Sequence, residues 1–125
     1  MNDAKTTIGE LKEIVDQFKK DRNWGKHHTP KNLAVSITLE AAELLEHFQW
    51  DNLEKNDKGE IASELADIMI YCLHFANVSG VDIAGAIKCK LEHLSKKYPA
   101  ELFRSGKIGA KEYWEIKAHY RAKKQ

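Results

Sequence analysis

Two acidic doublets are the residues of this chain best suited to chemistry: Glu40-Ala41-Ala42-Glu43 and Glu64-Leu65-Ala66-Asp67. In each, carboxylates at i and i+3 fall on one side of a helix. Apolar positions surround them, so neither doublet reads as a solvated charge run. Four carboxylates leaning inward with no basic residue beside them invite a divalent metal. An oxygen-only donor set suits a hard cation, Mg2+ with Mn2+ as a substitute. Neither doublet contains a histidine, which argues against the Glu-x-x-His pattern of di-iron bundles. Two simpler arrangements would also explain the acids: pairing with Lys or Arg from another helix, or a solvated groove.

A divalent cation points in turn to phosphate chemistry. A nucleoside triphosphate repels an attacking water through its own negative charge. Metal ions bridging its oxygens neutralise that charge, lower the pKa of bound water and orient it in line. One glutamate could serve as general base; Glu43, with Glu40 beside it, is the candidate catalytic pair.

The elements that must position these acids read as helices. Ile8, Leu11, Ile14, Val15 and Phe18 recur at helical spacing and define a first amphipathic helix. Asp21 to Thr29 holds charges, Gly25 and two histidines, and reads as a loop. Thr29 is the expected N-cap and Pro30 the first turn of a second helix running to about Phe48. Asp51 to Asp57 is polar and breaks the pattern. Asp57-Lys58-Gly59-Glu60 resembles a capping box opening a third helix, which runs to about Asn77 with Gly80 as its stop. Asp82 can cap a fourth helix, Ile83 to about Lys97, closed by Tyr98-Pro99. Lys111 to Lys124 could form a last helix, with Tyr113, Trp114, Ile116 and Tyr120 on its apolar side. No segment alternates as a strand. The fold class is all-α, most simply a four-helix bundle.

On a helical wheel the second helix gathers Leu33, Ile37, Leu44 and Phe48 on one narrow face. Glu40 falls inside that face and Glu43 on its flank, while Glu46 points to solvent. The third helix gathers Ile61, Leu65, Ile68, Cys72 and Phe75. Glu64 borders this face, Asp67 and Tyr71 continue the same stripe, and Glu60 lies one turn earlier. An ionised carboxylate on a core face is costly unless paired or coordinated.

Composition narrows the class further. The chain has 125 residues, enough for one domain with a core. With 20 basic and 19 acidic residues it carries a formal charge of +1, so no strong field points to a nucleic acid polymer or a membrane. No stretch of about 18 apolar residues suggests a membrane span, and no leader pattern opens the chain. Cys72 and Cys89 read as reduced core residues, and the expected setting is cytoplasmic.

With these residues in view, the chain resembles a known family. Glu40-x-x-Glu43, 20 intervening residues, then Glu64-x-x-Asp67 is similar to the ExxE–ExxD signature of the all-α nucleoside triphosphate pyrophosphohydrolases, which include MazG and the dimeric dUTPases. Asp21-Arg22-Asn23-Trp24, His28-Thr29-Pro30-Lys31-Asn32-Leu33, the run from Glu43 to Trp50, Asp67 to Tyr71 and Lys97-Tyr98-Pro99 resemble the MazG-like dCTP pyrophosphatase branch. The likeness runs from about Ile8 to Leu102. It implies a domain over residues 1–102 and a tail over 103–125. It also implies that Glu40, Glu43, Glu64 and Asp67 hold Mg2+. Trp24, His27, His28, Trp50 and Tyr71 would shape a nucleotide pocket, with Lys97 nearest the family's basic motif.

The implied reaction cleaves a (deoxy)nucleoside triphosphate, dCTP or a related or modified nucleotide, between the α and β phosphates, giving monophosphate and pyrophosphate. The implied assembly is a homodimer or homotetramer. A second apolar edge on the second helix (Val35, Leu39, Ala42) and another on the third (Ile70, Leu73) independently call for a covering subunit. One departure stands out. Relatives often carry asparagine where this chain has Leu94, which cannot hydrogen-bond a substrate. A non-catalytic metal- or nucleotide-binding regulator on the same bundle is the competing reading.

Overall fold

The computed structural model describes residues 1–50 and 57–124. Among them every regular element is helical: α1 (Ile8–Asp21), a 3₁₀ turn (Gly25–His27), α2 (Pro30–Glu46), α3 (Lys58–Ser79), α4 (Ile83–Lys97), α5 (Ala100–Arg104) and α6 (Ala110–Ala122). The all-α class and most boundaries agree with the sequence. The short α5 was not expected, and α2 ends two residues before Phe48.

Local chemistry sets the ends. Thr7 opens α1 with a reciprocal cap: its Oγ1 accepts from the Glu10 N–H at 3.1 Å, and its own N–H donates to Glu10 Oε2 at 2.6 Å. Thr29 Oγ1 accepts from the Asn32 N–H at 3.2 Å, and Pro30 fills the first turn of α2, as expected. Asp57 caps α3 through the Gly59 N–H at 2.6 Å, but no reciprocal bond from Glu60 accompanies it. The expected capping box is therefore not made: Asp57 caps the second helical residue alone, and Glu60 lies near His47 of α2 instead. Gly80 closes α3 at φ +64°, the left-handed region that glycine adopts without a Cβ clash.

The chain divides into two compact units, Met1–Asp82 and Ile83–Gln125. In the first, α1 and α2 both pack on α3. Val15, Leu33, Leu73, His74 and Ala76 are buried there. Leu73, expected on an outer apolar edge, is part of this core. The rest of that edge is exposed: Val35, Leu39 and Ile70 all face solvent. Long-range hydrogen bonds tie the ends of α1 and α3, with Asn77 Nδ2 donating to the Lys12 carbonyl at 2.9 Å and Lys12 Nζ to the Val81 carbonyl at 3.0 Å.

In the second unit α4 and α6 meet through rings. Tyr98 stacks on Tyr113 at 5.3 Å, and His93 meets Tyr120 edge-on at 6.0 Å. Neither cysteine matches the core reading fully: Cys72 is half-buried and Cys89 is exposed, because Cys89 lies off the inward side of α4.

Among the described residues, α3 alone would suit a membrane crossing by length and composition, with 22 residues and a mean hydropathy of 1.2. It carries Glu64 and Asp67 within its span and receives α1 and α2 along its sides, the marks of a core helix.

Candidate functional site

The long α2–α3 contact brings the two doublets face to face. One carboxylate oxygen each from Glu40, Glu43 and Glu64 lies within 4.8 Å of the other two. Glu40 and Glu64 are half-buried, while Glu43 faces solvent. Burial pushes the Glu40 carboxyl above its ordinary range, and the charges of Glu43, Asp67 and Glu64 push it the same way. A hydrogen bond between the Glu40 and Glu43 carboxyls adds to this, because one of them must keep its proton to make it. The other three acids of the two doublets thus all act on Glu40.

The expectation that no basic group stands beside them needs one correction. His47, one turn beyond Glu43, brings Nε2 to 3.7 Å from Glu64 Oε1 and Nδ1 to 4.0 Å from Glu60 Oε2. No lysine or arginine pairs with the four acids among the described residues. Sequence reading passed over His47. The signal was there in the i,i+4 pair Glu43/His47 on one helix and the i,i+4 pair Glu60/Glu64 on the other.

The donor set fits a hard divalent cation. It is all oxygen, it converges, and half-buried Glu40 is held toward its neutral form by burial and by like charges that a cation would relieve.

A line of rings starts one turn from Asp67. Tyr71 lies 6.5 Å from His74, His74 meets His28 edge-on at 4.6 Å, and His28 lies 6.3 Å from Trp24. Trp24 rests against Phe18 at 5.8 Å, and Arg22 caps the Phe18 ring at 3.5 Å. Three expected pocket residues, Trp24, His28 and Tyr71, therefore share one aromatic line.

His74 joins them unannounced. It is only 3% exposed, and its position seven residues after Asp67 continues the stripe of Asp67 and Tyr71. Burial pushes both histidines below their ordinary pKa, and their Nδ1 atoms are buried without a hydrogen-bond partner.

The other expected residues stand apart. The His27 side chain is exposed, and its carbonyl accepts from Asn32 Nδ2 at 2.9 Å. Trp50 is 78% exposed beyond α2. Lys97 belongs to the second unit, where its Nζ lies 5.1 Å from the Tyr98 ring centre and 5.2 Å from that of Tyr120.

This geometry can be set beside known proteins. The model of the MazG-like family matches residues 35–115, a stretch that holds both acidic doublets and most of the helical chain. The chain belongs to the MazG-like family. The match begins after the Trp24–His28 loop and ends within α6.

Among curated relatives, this MazG-like chain is 29% identical over 109 residues to bovine (Bos taurus) dCTP pyrophosphatase 1, covering 81% of the chain and 64% of that protein. It is 28% identical over 118 residues to the human (Homo sapiens) dCTP pyrophosphatase 1, covering 88% of the chain and 68% of that protein. The chain thus spans somewhat under two thirds of the bovine relative's length. Among solved structures, a pyrophosphatase from Archaeoglobus fulgidus superposes with a TM-score of 0.70 at 42% identity, covering 79% of this chain and 98% of that one.

Proposed function

We propose that this MazG-like chain is a nucleoside triphosphate pyrophosphohydrolase. It hydrolyses a (deoxy)nucleoside triphosphate, dCTP or a close relative of it, to the monophosphate and pyrophosphate. The observation that carries this reading is the convergence of Glu40, Glu43 and Glu64 within 4.8 Å, with Asp67 acting on the same cluster. The family match and the two groups of pyrophosphatase relatives support it.

Glu40, Glu43, Glu64 and Asp67 would hold Mg2+, for which Mn2+ could substitute. The metal would neutralise the phosphate charge and acidify bound water. The protein's own share of the chemistry is positional. Glu43, the solvent-facing acid, is placed to take the proton from an attacking water. Glu40, half-buried between like charges, readily keeps a proton at Glu43's side. His47, with Nε2 3.7 Å from Glu64 Oε1, would steady that carboxylate.

Trp24, His28 and Tyr71 offer ring faces and edges for a base and sugar, a contact typically worth ~1–3 kcal/mol per stacked base. His27 and Trp50 remain exposed candidates for the same pocket. Lys97 is the candidate for the phosphate end. Self-association, as dimer or tetramer, would cover Val35, Leu39 and Ile70.

The deciding test is a screen of the common nucleoside and deoxynucleoside triphosphates with Mg2+, resolving pyrophosphate from orthophosphate. Pyrophosphate with monophosphate, largest for dCTP, is expected. Orthophosphate release, or tight nucleotide binding with no product, would overturn the reading.

A further inference from the structure

Among the described residues His74 is the one polar side chain that is buried, 3% exposed on α3 where α1 and α2 pack against it. Its Nδ1 has no hydrogen-bond partner. A buried polar atom left unpaired costs stability, and an apolar side chain of similar volume would avoid that cost. Packing alone therefore gives no reason for a histidine at this position.

The neighbours of the imidazole supply one. It lies edge-on to His28 with ring centres 4.6 Å apart, and its centre is 6.5 Å from that of Tyr71. His28 and Tyr71 are half-buried, so His74 is the innermost of the three rings and stands between the other two.

His28 needs support of this kind. It ends the 3₁₀ turn in a non-helical conformation, φ −90° and ψ 57°. Asn32 ties the chain on both sides of it: its Nδ2 donates to the His27 carbonyl at 2.9 Å, and its N–H donates to Thr29 Oγ1 at 3.2 Å. These bonds fix the His28 backbone and leave its side-chain torsions free. The His28 Nδ1 is itself buried without a hydrogen-bond partner, so ring contacts are what orient the imidazole on that side.

The two imidazoles are poorly suited to holding a cation. Lys19 of α1 acts on both with its positive charge, and it is paired with Asp16 at 2.6 Å. Burial is the larger cause pushing both rings below their ordinary pKa, and the pair is neutral near pH 7. Two neutral rings can pack edge to face, whereas two charged ones beside Lys19 would repel.

We propose that His74 is a positioning residue of the nucleotide pocket: packed edge-on against His28, it fixes the orientation in which that ring meets a bound base or sugar. This rests on the place given to His28 in the function proposed above. A ring already held in its bound orientation has less freedom to lose when the ligand arrives, an effect worth up to about tenfold in affinity.

The test is a double-mutant cycle in dCMP affinity, read by titration calorimetry on the full chain with Mg2+. This monophosphate keeps a base and sugar and has no anhydride to cleave, so turnover plays no part. His74→Leu is expected to weaken dCMP binding about five- to tenfold. Its thermal midpoint should equal or exceed the wild type's, because an unpaired nitrogen leaves the core. His28→Ala should weaken binding at least as much, and adding His74→Leu to it should cost nothing further, since His74 acts through His28. A second measurement needs no variant: as dCMP is added to the wild type, the imidazole resonances of His28 and His74 should shift together with one midpoint.

Affinity within twofold of the wild type in His74→Leu, or an additive loss in the double variant, would overturn the proposal. So would a melting midpoint that falls along with affinity, a His74 resonance unmoved while that of His28 shifts, or a wild type that does not bind dCMP. A chain that obeys the cycle yet releases no pyrophosphate from any triphosphate keeps this role for His74 and loses the proposed reaction, so the two readings fail separately.

Discussion

The two units of this chain are built on opposite electrostatics. Residues 1–82 carry fifteen Asp and Glu against nine Lys and Arg, and residues 83–125 reverse the balance. The acidic unit holds all the buried residues among those described, whereas the basic unit holds none. The difference shows how each kind of site is made. Carboxylates on short side chains converge only where two helices pack closely, so the acid cluster depends on a core. Lysine and arginine reach far on apolar stems and can gather over rings without one. The acid site should therefore fail abruptly, and the basic unit by degrees.

The harshest break should come from the acids. Glu40→Ala or Asp67→Ala is expected to lower turnover about a thousandfold or more, roughly 4 kcal/mol of barrier. Circular dichroism should remain that of the wild type. Activity within tenfold of wild type in either variant would remove the acid cluster from the chemistry.

Core substitutions should separate the units next. Leu33, 1% exposed in the acidic unit, is expected to cost about 2–5 kcal/mol when changed to Ala, read by chemical denaturation. Leu94→Ala, half-buried in the basic unit, should cost about 1 kcal/mol. Equal costs would erase the distinction between a cored unit and a ring-joined one.

Titration sharpens the picture within the acidic unit. His28 and His74 have pKa values lowered chiefly by burial, so the fold favours their neutral forms. The unfolded chain takes up protons first as pH falls below 6.5, and stability should decline from there through the folded pKa values. His74→Phe should flatten the thermal midpoint between pH 7.5 and 5.5, a smaller effect than either core change. A slope identical to the wild type's would sink this account.

The smallest effect should come from Asp16, held down to about 2 by hydrogen bonds from Lys19 and Lys20, each at 2.6 Å. Its contribution is present above pH 3.8 and is lost as pH falls toward 2. Asp16→Asn should remove that increment of acid sensitivity from the wild-type melting curve.

Much of this molecule was legible because its signals are local. Thr29, Pro30, Gly80 and Pro99 mark helix ends through backbone geometry that depends on near neighbours alone. The doublets Glu40/Glu43 and Glu64/Asp67 follow helical period, so their inward side could be read before any packing was known. The misses share one cause. Glu60 left its capping partner to lie near His47, Leu73 moved from an outer edge into the core, and Cys89 faced solvent, each through contacts between helices that period cannot specify.

The sequence by itself determined an all-helical chain with two pairs of carboxylates at fixed helical spacing, because i,i+3 geometry is intrinsic to a helix. Only the tertiary structure decided that these pairs face each other across α2 and α3, that His47 stands beside them, and that His28 meets His74. Those juxtapositions join residues up to dozens of positions apart, and packing, not period, sets which of them meet.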